Sequence, residues 1–242
     1  VRRKFPLARV GRVDGETIRR PADARAFSRL LAAGELDIVI GTQMLFRFGL
    51  QARAAFVGVP DADAGLHVPD FRSAERMYHG LMDAVELALP AHAGGAVMIQ
   101  TRLTDHHAIM AVAAGDDSVF LQQEQAFRQM LQYPPLTSLV RLDVSGTLES
   151  VVGNRGTNAG DGSPLLQRST GFGGETSSIV ILGPSPAPHA MARGRYCWQI
   201  LVKSLSLEAG KEIVVRTREV LDRESRRGGL RFDIDVDPVA MA

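Results

Sequence analysis

Cysteine is almost absent from this chain of 242 residues. The single cysteine, Cys197, excludes a disulfide within the chain and any cysteine-based zinc site, as is typical of a protein from a reducing cytosol. It is a poor candidate for a nucleophile, because no histidine is its close neighbour in the sequence. No apolar run approaches the roughly 20 residues that a membrane-spanning helix needs, and the basic start lacks the apolar core of a signal peptide. The sequence therefore predicts a cytoplasmic protein without a membrane segment.

Net charge is also small. Charged residues make up 23% of the chain and balance to +1, so composition alone does not indicate a nucleic-acid-binding protein. The basic residues are nevertheless clustered, at positions 2–4, at 19–20, and at Arg193, Arg195 and Lys203. A solvated surface is the simpler interpretation of the first two clusters. With 45% hydrophobic residues, the chain can bury a core of one large or two small domains.

The sequence lacks a phosphate-binding loop of the form GxxxxGK[ST]. Its first hundred residues nevertheless alternate between strand and helix patterns. We predict a strand at 8–10, a helix that begins at Pro21 and stops at Gly34, and strands at 38–40, 55–59 and 96–101. This order is typical of an α/β protein with a parallel sheet.

Polar residues follow two of these strands at once. Gly41, Thr42 and Gln43 follow the strand at 38–40, and Asp61 and Asp63 follow the next one. Ligands of open α/β sheets bind at the carboxyl ends of the strands, so the pattern predicts a nucleotide or nucleic-acid site. In isolation, the two aspartates could also bind Mg²⁺ or act as an acid–base pair. A loop-capping role is the structural alternative.

A long helix is predicted from Asp70, as its cap, to about Leu89, before Pro90. Its apolar stripe consists of Phe71, Ala74, Met77, Tyr78, Leu81, Val85 and Leu89.

A connector is predicted at 104–135. His106 and His107 are adjacent and have no third ligand at a useful spacing, so they do not predict a metal site. A helix at 118–131 carries an apolar side that we interpret as ordinary core packing, formed by Phe120, Phe127 and Leu131 with Glu124 as the one polar interruption. The run Tyr133, Pro134 and Pro135 then indicates a domain boundary.

The last part, 136–242, reads as a small α+β domain. Strands are predicted at 139–145, 178–182, 196–203 and 231–237, with a helix at 208–225 between the last two. Residues 153–178 are rich in glycine, asparagine, serine and threonine, which cannot bury enough apolar surface to offset the entropy of ordering. We therefore predict a flexible insertion or a much shortened helix there.

One C-terminal segment has the chemistry of a binding surface. Arg195 and Gln199 bracket Trp198 and could present a cationic fork, a stacking face and an amide. Strand alternation, however, places Arg195, Cys197 and Gln199 on one face and Tyr196 and Trp198 on the other. A hairpin strand with solvated ends is the alternative interpretation.

Three blocks in order, GTQM at 41–44, DADAGL at 61–66 and PDFRSAER at 69–76, resemble the second motor lobe of the PriA-type primosomal replication-restart helicases (primosomal protein N′). Further matching segments extend the resemblance over nearly the whole chain: FPLARVGRVDGET at 5–17, QYPP at 132–135, LGPSPAP at 182–188, RGRYCWQILVK at 193–203 and DVDPVAM at 235–241.

The resemblance implies a partial RecA-like second helicase lobe at 1–103, followed by the connector and a βαββαβ-like C-terminal domain. It implies coupling between DNA and nucleotide at Gly41, Thr42, Gln43, Asp61, Asp63, Arg72 and Arg76. It also implies docking of the acidic C-terminal tail of single-stranded DNA-binding protein, and of DNA arms, at Arg195, Trp198, Gln199 and Lys203. Other primosome proteins are further expected partners. No metal or cofactor is expected in this chain, since ATP with Mg²⁺ and zinc belong to the region expected upstream.

The chain departs from this family in both motor motifs of the lobe. Arg47, Phe48, Leu50 and Gln51 replace a Lys-Gly-x-Asp-Phe segment, and residues 83–90 replace Gln-Val-Ala-Gly-Arg-Ala-Gly-Arg. Leu87 and Pro90 cannot supply the arginine that stabilises charge on a transferred phosphate. Arg72 and Arg76 remain, although pairing with Asp70 and Glu75 is an alternative role for them. The changes fit a decayed motor and equally a local reading-frame or sequencing error.

We therefore expect a replication-restart or primosome-assembly protein that binds branched DNA and single-stranded DNA-binding protein, without ATPase or helicase activity of its own. The alternative is the C-terminal part of an active ATP-dependent 3′–5′ DNA helicase whose catalytic first lobe lies upstream. Whether the chain belongs to an enzyme thus stays open at the level of sequence. A third possibility is a relic that folds poorly.

Overall fold

A computed structural model gives the fold and describes residues 1–48, 53–68, 70–146, 179–192, 195–228 and 231–238. The chain divides into two compact units. The first consists of Val1–His67 and Ser73–Phe120, and the second of Val68–Arg72 and Leu121–Ala242. The fold is mixed α/β, with parallel strand pairs in the first unit and a larger antiparallel sheet in the second. No helix in the described part of the chain is long and apolar enough to cross a membrane.

The first strand pair of unit one is a strand–helix–strand element. Strands β1 (Val10–Val13) and β2 (Ile38–Gly41) pair in parallel, and helix α1 (Pro21–Ala32) connects them. Pro21 opens α1 as predicted, and the Asp23 carboxylate accepts a hydrogen bond of 2.9 Å from the amide of Arg20. The strand predicted at 8–10 begins later, at Val10. Arg9 precedes the strand, and its side chain forms an ion pair with Asp37.

The second strand pair consists of β3 (Phe56–Val59) and β4 (Ala96–Ile99), again parallel. Helix α2 lies between them in sequence but spans only Ser73–Glu86, so the prediction of one helix from Asp70 to about Leu89 was too long. At the start, Asp70 accepts a hydrogen bond from the amide of Arg72 in a turn that precedes the helix. At the end, residues 87 and 89 leave the helix because their main-chain groups bond to Ala54.

A stack of aromatic rings forms the core of unit one. The rings of Tyr78 and Phe120 lie 4.1 Å apart and are nearly parallel. The ring of His107 also stacks with that of Phe120, at a distance of 5.4 Å. These residues belong to α2 and to two further helices, α3 (His107–Ala114) and α4 (Asp117–Leu131). The Tyr78 hydroxyl also donates to Asp117, and this hydrogen bond together with burial raises the pKa of Tyr78 to about 12.

The apolar side predicted for α4 is only partly in a core. Phe120 is buried, but Phe127 and Leu131 are 48% and 49% exposed, so our interpretation of them as core residues was wrong. Glu124, the predicted polar interruption, is buried instead and pairs with Arg128 at 2.8 Å. The helix therefore buries an ion pair and exposes apolar side chains in its second half.

Unit two contains a four-stranded antiparallel sheet in the order β6-β7-β5-β8. Its strands are β5 (Ser138–Gly146), β6 (Ile179–Ala192), β7 (Arg195–Ser204) and β8 (Arg231–Val236), and helix α5 (Leu207–Gly228) lies between the last two in sequence. One face of the sheet packs Val140, Leu142 and Val202 against Ile213 and Val214 of α5. The four predicted strands and this helix are present, but β6 continues to Ala192, well beyond its predicted end at 182. The predicted flexible insertion at 153–178 lies outside the described residues.

Candidate functional site

The loop after β2 holds three of the predicted site residues together. Gly41 is the last residue of β2, and a side chain there would crowd the Val13 carbonyl oxygen at 3.1 Å and Leu45 at 3.3 Å. Thr42 then turns the chain, since its amide donates to Val13 and its carbonyl accepts from Leu45 at the start of a short 3-10 helix, Gln43–Phe48. Gln43 is exposed. The main chain at 41 and 42 thus forms a tight turn, and the exposed Gln43 follows it.

The two predicted aspartates have different environments. Asp63 is buried, and its carboxylate accepts hydrogen bonds from the Thr101 hydroxyl and from the Arg102 amide at 2.8 Å. The Thr101 hydrogen bond, followed by that of Arg102, holds the pKa of Asp63 below its usual value. Asp61 is exposed. The structure therefore does not support an acid–base pair, and it gives Asp63 the loop-capping role that was the structural alternative.

Thr101 and Arg102 were not among the predicted site residues. They follow β4 after Gln100, and Asp63 follows β3 after residues 60–62, so they lie at the same edge of the strand pair. The predicted strand at 96–101 was therefore two residues too long. The available signal was the one used for the other strands, a polar residue immediately after an apolar run. The side chain of Arg102 is exposed, while its main chain is fixed by Asp63.

The two predicted arginines of the PDFRSAER block lie in different settings. Arg76 is exposed on α2. Arg72 belongs to the second unit, where its guanidinium lies over the Phe71 ring at 5.2 Å.

Within unit two, Phe71 takes part in a cluster of rings and cations. Its ring stacks on Tyr133 at 4.9 Å with an angle of 5° between the planes. The Lys203 ammonium lies 3.6 Å from the centre of the Tyr133 ring and donates to the Leu131 carbonyl at 2.9 Å. Burial lowers the pKa of Lys203. Lys203 is therefore held inside the unit, which is not the environment of a residue that contacts a partner.

The other three residues predicted to bind a partner are divided between the two faces of the sheet. Ile200 and Val202 of β7 contact the core under α5, so the alternate residues Tyr196 and Trp198 lie on this side. Arg195 and Gln199 lie on the opposite side, which we call the polar face. Strand alternation predicted this division correctly, and it separates Trp198 from Arg195 and Gln199.

The polar face carries a network of charges across three strands. Arg141 of β5 contacts Asp143 at 3.0 Å and Asp235 of β8 at 3.3 Å. The Gln199 amide nitrogen lies 3.4 Å from Asp143, at the outer limit of a hydrogen bond. Arg141 is thus already neutralised by two carboxylates. Arg195 is the first residue of β7 and is half-buried.

The adjacent histidines have structural roles. His106 caps α3 by accepting a hydrogen bond of 3.2 Å from the Ala108 amide, and His107 is buried against Phe120. In the part of the chain that the structure describes, no group of three or more His, Cys, Asp or Glu side chains is arranged to hold a metal ion.

The C-terminal sheet and its helix define the class of protein. Residues 129–239 match the family described as primosomal protein N C-terminal domain. The whole chain is similar to proteins named replication restart protein PriA. It is 31% identical over 97% of its length to the protein from Treponema pallidum, 34% over 98% to that from Synechocystis sp., and 32% over 98% to that from Bacillus subtilis.

These matches confirm the resemblance to the C-terminal portion of the PriA-type proteins. The chain spans 34%, 27% and 28% of the lengths of the three relatives, which are therefore much longer than the present sequence.

Proposed function

We propose that the chain acts in replication restart as a primosome-assembly protein that binds branched DNA and the acidic tail of single-stranded DNA-binding protein. This proposal rests on one observation: 97% of the length of the chain aligns with a replication restart protein, at 31% identity. Residues 1–103 then correspond to a partial RecA-like second lobe, 104–135 to a connector and 136–242 to the C-terminal domain.

The parallel strand pairs of unit one support the proposed lobe. Their carboxyl ends carry Gly41, Thr42 and Gln43 after β2, and Asp61 and Asp63 after β3, as in a sheet that binds a ligand at this edge. We propose that DNA contacts the exposed Gln43 at this edge and the exposed Arg76 on α2, while Asp63 fixes the loop.

The polar face of unit two supports the proposed binding of an acidic peptide. Arg195 is a cation at the end of this face, and Gln199 adds an amide that can donate to a carboxylate. Lys203 and Trp198 then support the fold of the strand and do not contact the peptide.

Fluorescence anisotropy with a labelled peptide ending in Asp-Asp-Asp-Ile-Pro-Phe tests this site. Arg195→Glu should abolish most of the binding, because it replaces an attractive charge with a repulsive one. Arg218→Glu is the matched control, since Arg218 is exposed on α5, which covers the other face of the sheet. A folded chain that does not bind the peptide, or equal losses in both variants, would contradict the proposal.

We propose that the chain by itself neither hydrolyses ATP nor unwinds DNA. The sequence has no phosphate-binding loop, and Leu87 and Pro90 stand where the family has arginines.

A second candidate function is the C-terminal part of an active ATP-dependent 3′–5′ DNA helicase. The length of the relatives favours it, since this chain spans only 34% of the Treponema pallidum protein. Sequencing the DNA upstream of the chain distinguishes the two: a reading frame with a Walker lysine and cysteine pairs supports the helicase, and a start codon at the beginning of the chain opposes it.

A further inference from the structure

The end of the polar face carries a second cation that the sequence pattern did not reveal. Ser145, near the end of β5, pairs with Cys197 of β7 on one side and with Arg231 of β8 on the other. Residues that are directly paired across a sheet share a face, so Arg231 lies on the same face as Cys197 and Arg195. Phe232, the next residue of β8, contacts the core under α5, which confirms this alternation.

Arg195 and Arg231 are spaced to meet a single extended ligand. Adjacent strands lie about 4.8 Å apart, so β7 and β8, which are separated by β5, are about 10 Å apart. Cys197 lies opposite Arg231 across β5, and Arg195 lies two residues, about 7 Å, further along β7, so the main chains at the two arginines are about 12 Å apart. Both arginine side chains are long enough to lean toward the middle strand, where Ser145 is small. Alternate carboxylates of an extended peptide repeat about every 7 Å, which lies within the reach of two such side chains.

The next positions along the face repel an acidic ligand. Asp143 pairs directly with Asp233 across β5 and β8, which places two carboxylates side by side. Arg141 offsets only part of this negative charge, because it is one cation that contacts Asp143 and Asp235, while Asp233 is a third carboxylate on the same face. Arg231 differs, since it is exposed and no described residue forms an ion pair with it.

We infer that Arg231 is a peptide-binding residue, the second cation of an acidic-peptide site at the Ser145 end of the polar face, and that Asp143 and Asp233 form the boundary of this site. The inference rests on the proposed function, because it assigns residues to the acidic-peptide site proposed above. A ligand with clustered carboxylates is held at Arg195 and Arg231 and extends along β7 no further than Gln199, which lies in the same cross-strand row as Asp143 and Asp233. Binding therefore selects acidic peptides that end or turn at this edge.

The test measures binding of the labelled Asp-Asp-Asp-Ile-Pro-Phe peptide to the full chain at low salt. Arg231→Gln should weaken binding about 5-fold, the effect of losing one solvent-exposed ion pair of about 1 kcal/mol. Asp233→Asn should strengthen it about 2-fold, since a repulsive charge is removed. Arg218→Gln, on α5, is the charge-matched control and should leave the affinity unchanged.

A second peptide tests the chemistry of the contact. With asparagine in place of all three aspartates, wild type and Arg231→Gln should bind equally weakly, because the charge that Arg231 recognises is gone. Thermal unfolding of each variant shows whether the fold is intact, and little change is expected because Arg231 is exposed.

Each other result overturns a different statement. If Arg195→Gln weakens binding but Arg231→Gln behaves like Arg218→Gln, the role of Arg231 is wrong and the proposed peptide site stands. If Asp233→Asn weakens binding, the boundary is wrong. If the folded wild-type chain does not bind the acidic peptide, both the inference and the proposed function fail.

Discussion

At the scale of single residues, Asp63 shows how one carboxylate fixes the edge of a strand pair. It follows β3 and accepts hydrogen bonds from Thr101 and Arg102, which follow β4. The two strands thus end in a common structure, with the exposed Asp61 beside it. Asp63, which we had assigned to coupling between DNA and nucleotide, therefore holds the loop in position.

Replacing Asp63 with alanine should lower the stability of the first unit at neutral pH more than Asp61→Ala does. The pKa of Asp63 in the folded chain lies below 3.8, so its contribution is present above pH 3.8 and is lost as the pH falls through the folded value. Thermal unfolding at pH 7 and at pH 3 measures this. Equal effects of the two substitutions at pH 7, or a difference that grows in acid, would contradict the assignment.

Lys203 is the second residue whose environment differs from its predicted role. Lys203→Met should keep the apolar stem against Tyr133 and change the free energy of unfolding by about 1 kcal/mol or less. Lys203→Glu should cost more than about 2 kcal/mol, because a carboxylate would face the Leu131 carbonyl. Urea unfolding gives both values. The affinity of Lys203→Met for the acidic peptide should equal that of wild type, and a marked loss there would return Lys203 to the binding site.

At the scale of elements, helix α4 buries different side chains in its two halves. Phe120 stacks in the core of unit one, whereas Phe127 is nearly half exposed, although the two residues lie seven apart on one side of the helix. Glu124, which lies between them, is buried and forms an ion pair with the half-buried Arg128. Helical spacing gives the direction of a side chain but not what lies opposite it.

This contrast predicts that the same substitution, phenylalanine to alanine, lowers the free energy of unfolding by different amounts at the two positions. Phe120→Ala should destabilise the chain by about 3–5 kcal/mol, as for a buried ring, and Phe127→Ala by less than about 1 kcal/mol. Guanidinium unfolding of the two variants provides the comparison, with the same residue type and the same helix as internal control. Similar costs would show that Phe127 belongs to a core after all.

At the scale of the whole molecule, the chain is a pair of units with different chemistry at their exposed edges. The first offers polar side chains after parallel strands, and the second offers two arginines at the end of an antiparallel sheet. The chain covers about a third or less of the relatives it matches. These two edges are the surfaces at which we propose binding.

The purified chain should show no ATP hydrolysis above background, with or without forked DNA. Without a phosphate-binding loop nothing positions the nucleotide phosphates, and Leu87 and Pro90 cannot stabilise charge on them. A coupled assay at saturating ATP and Mg²⁺ measures the rate. The same preparation should bind the acidic peptide, which shows that the protein is folded, and DNA-stimulated turnover would refute the proposal.

Much of the fold followed from local patterns. Pro21 and Gly34 bounded α1 correctly, and the alternation in β5, β7 and β8 gave both the strands and their faces, since a strand has only two sides. The ends of α2 did not follow, because the bonds of residues 87 and 89 to Ala54 compete with the helix there and are invisible in the local sequence. The site was predicted in part: Gly41, Thr42 and Gln43 lie at one edge as expected, whereas Arg231 was missed because it is far from Arg195 in sequence.

The sequence by itself determined most of the elements, their order and the resemblance of the chain to PriA-type proteins, because periodicity, turn residues and motif blocks are local properties. Only the tertiary structure decided which polar residues are available. Burial of Asp63 and Lys203, exposure of Phe127, and the alignment of Arg231 with Arg195 all depend on which elements meet. Contacts between residues distant in sequence set these environments, and an environment is what gives the same side chain a structural or a binding role.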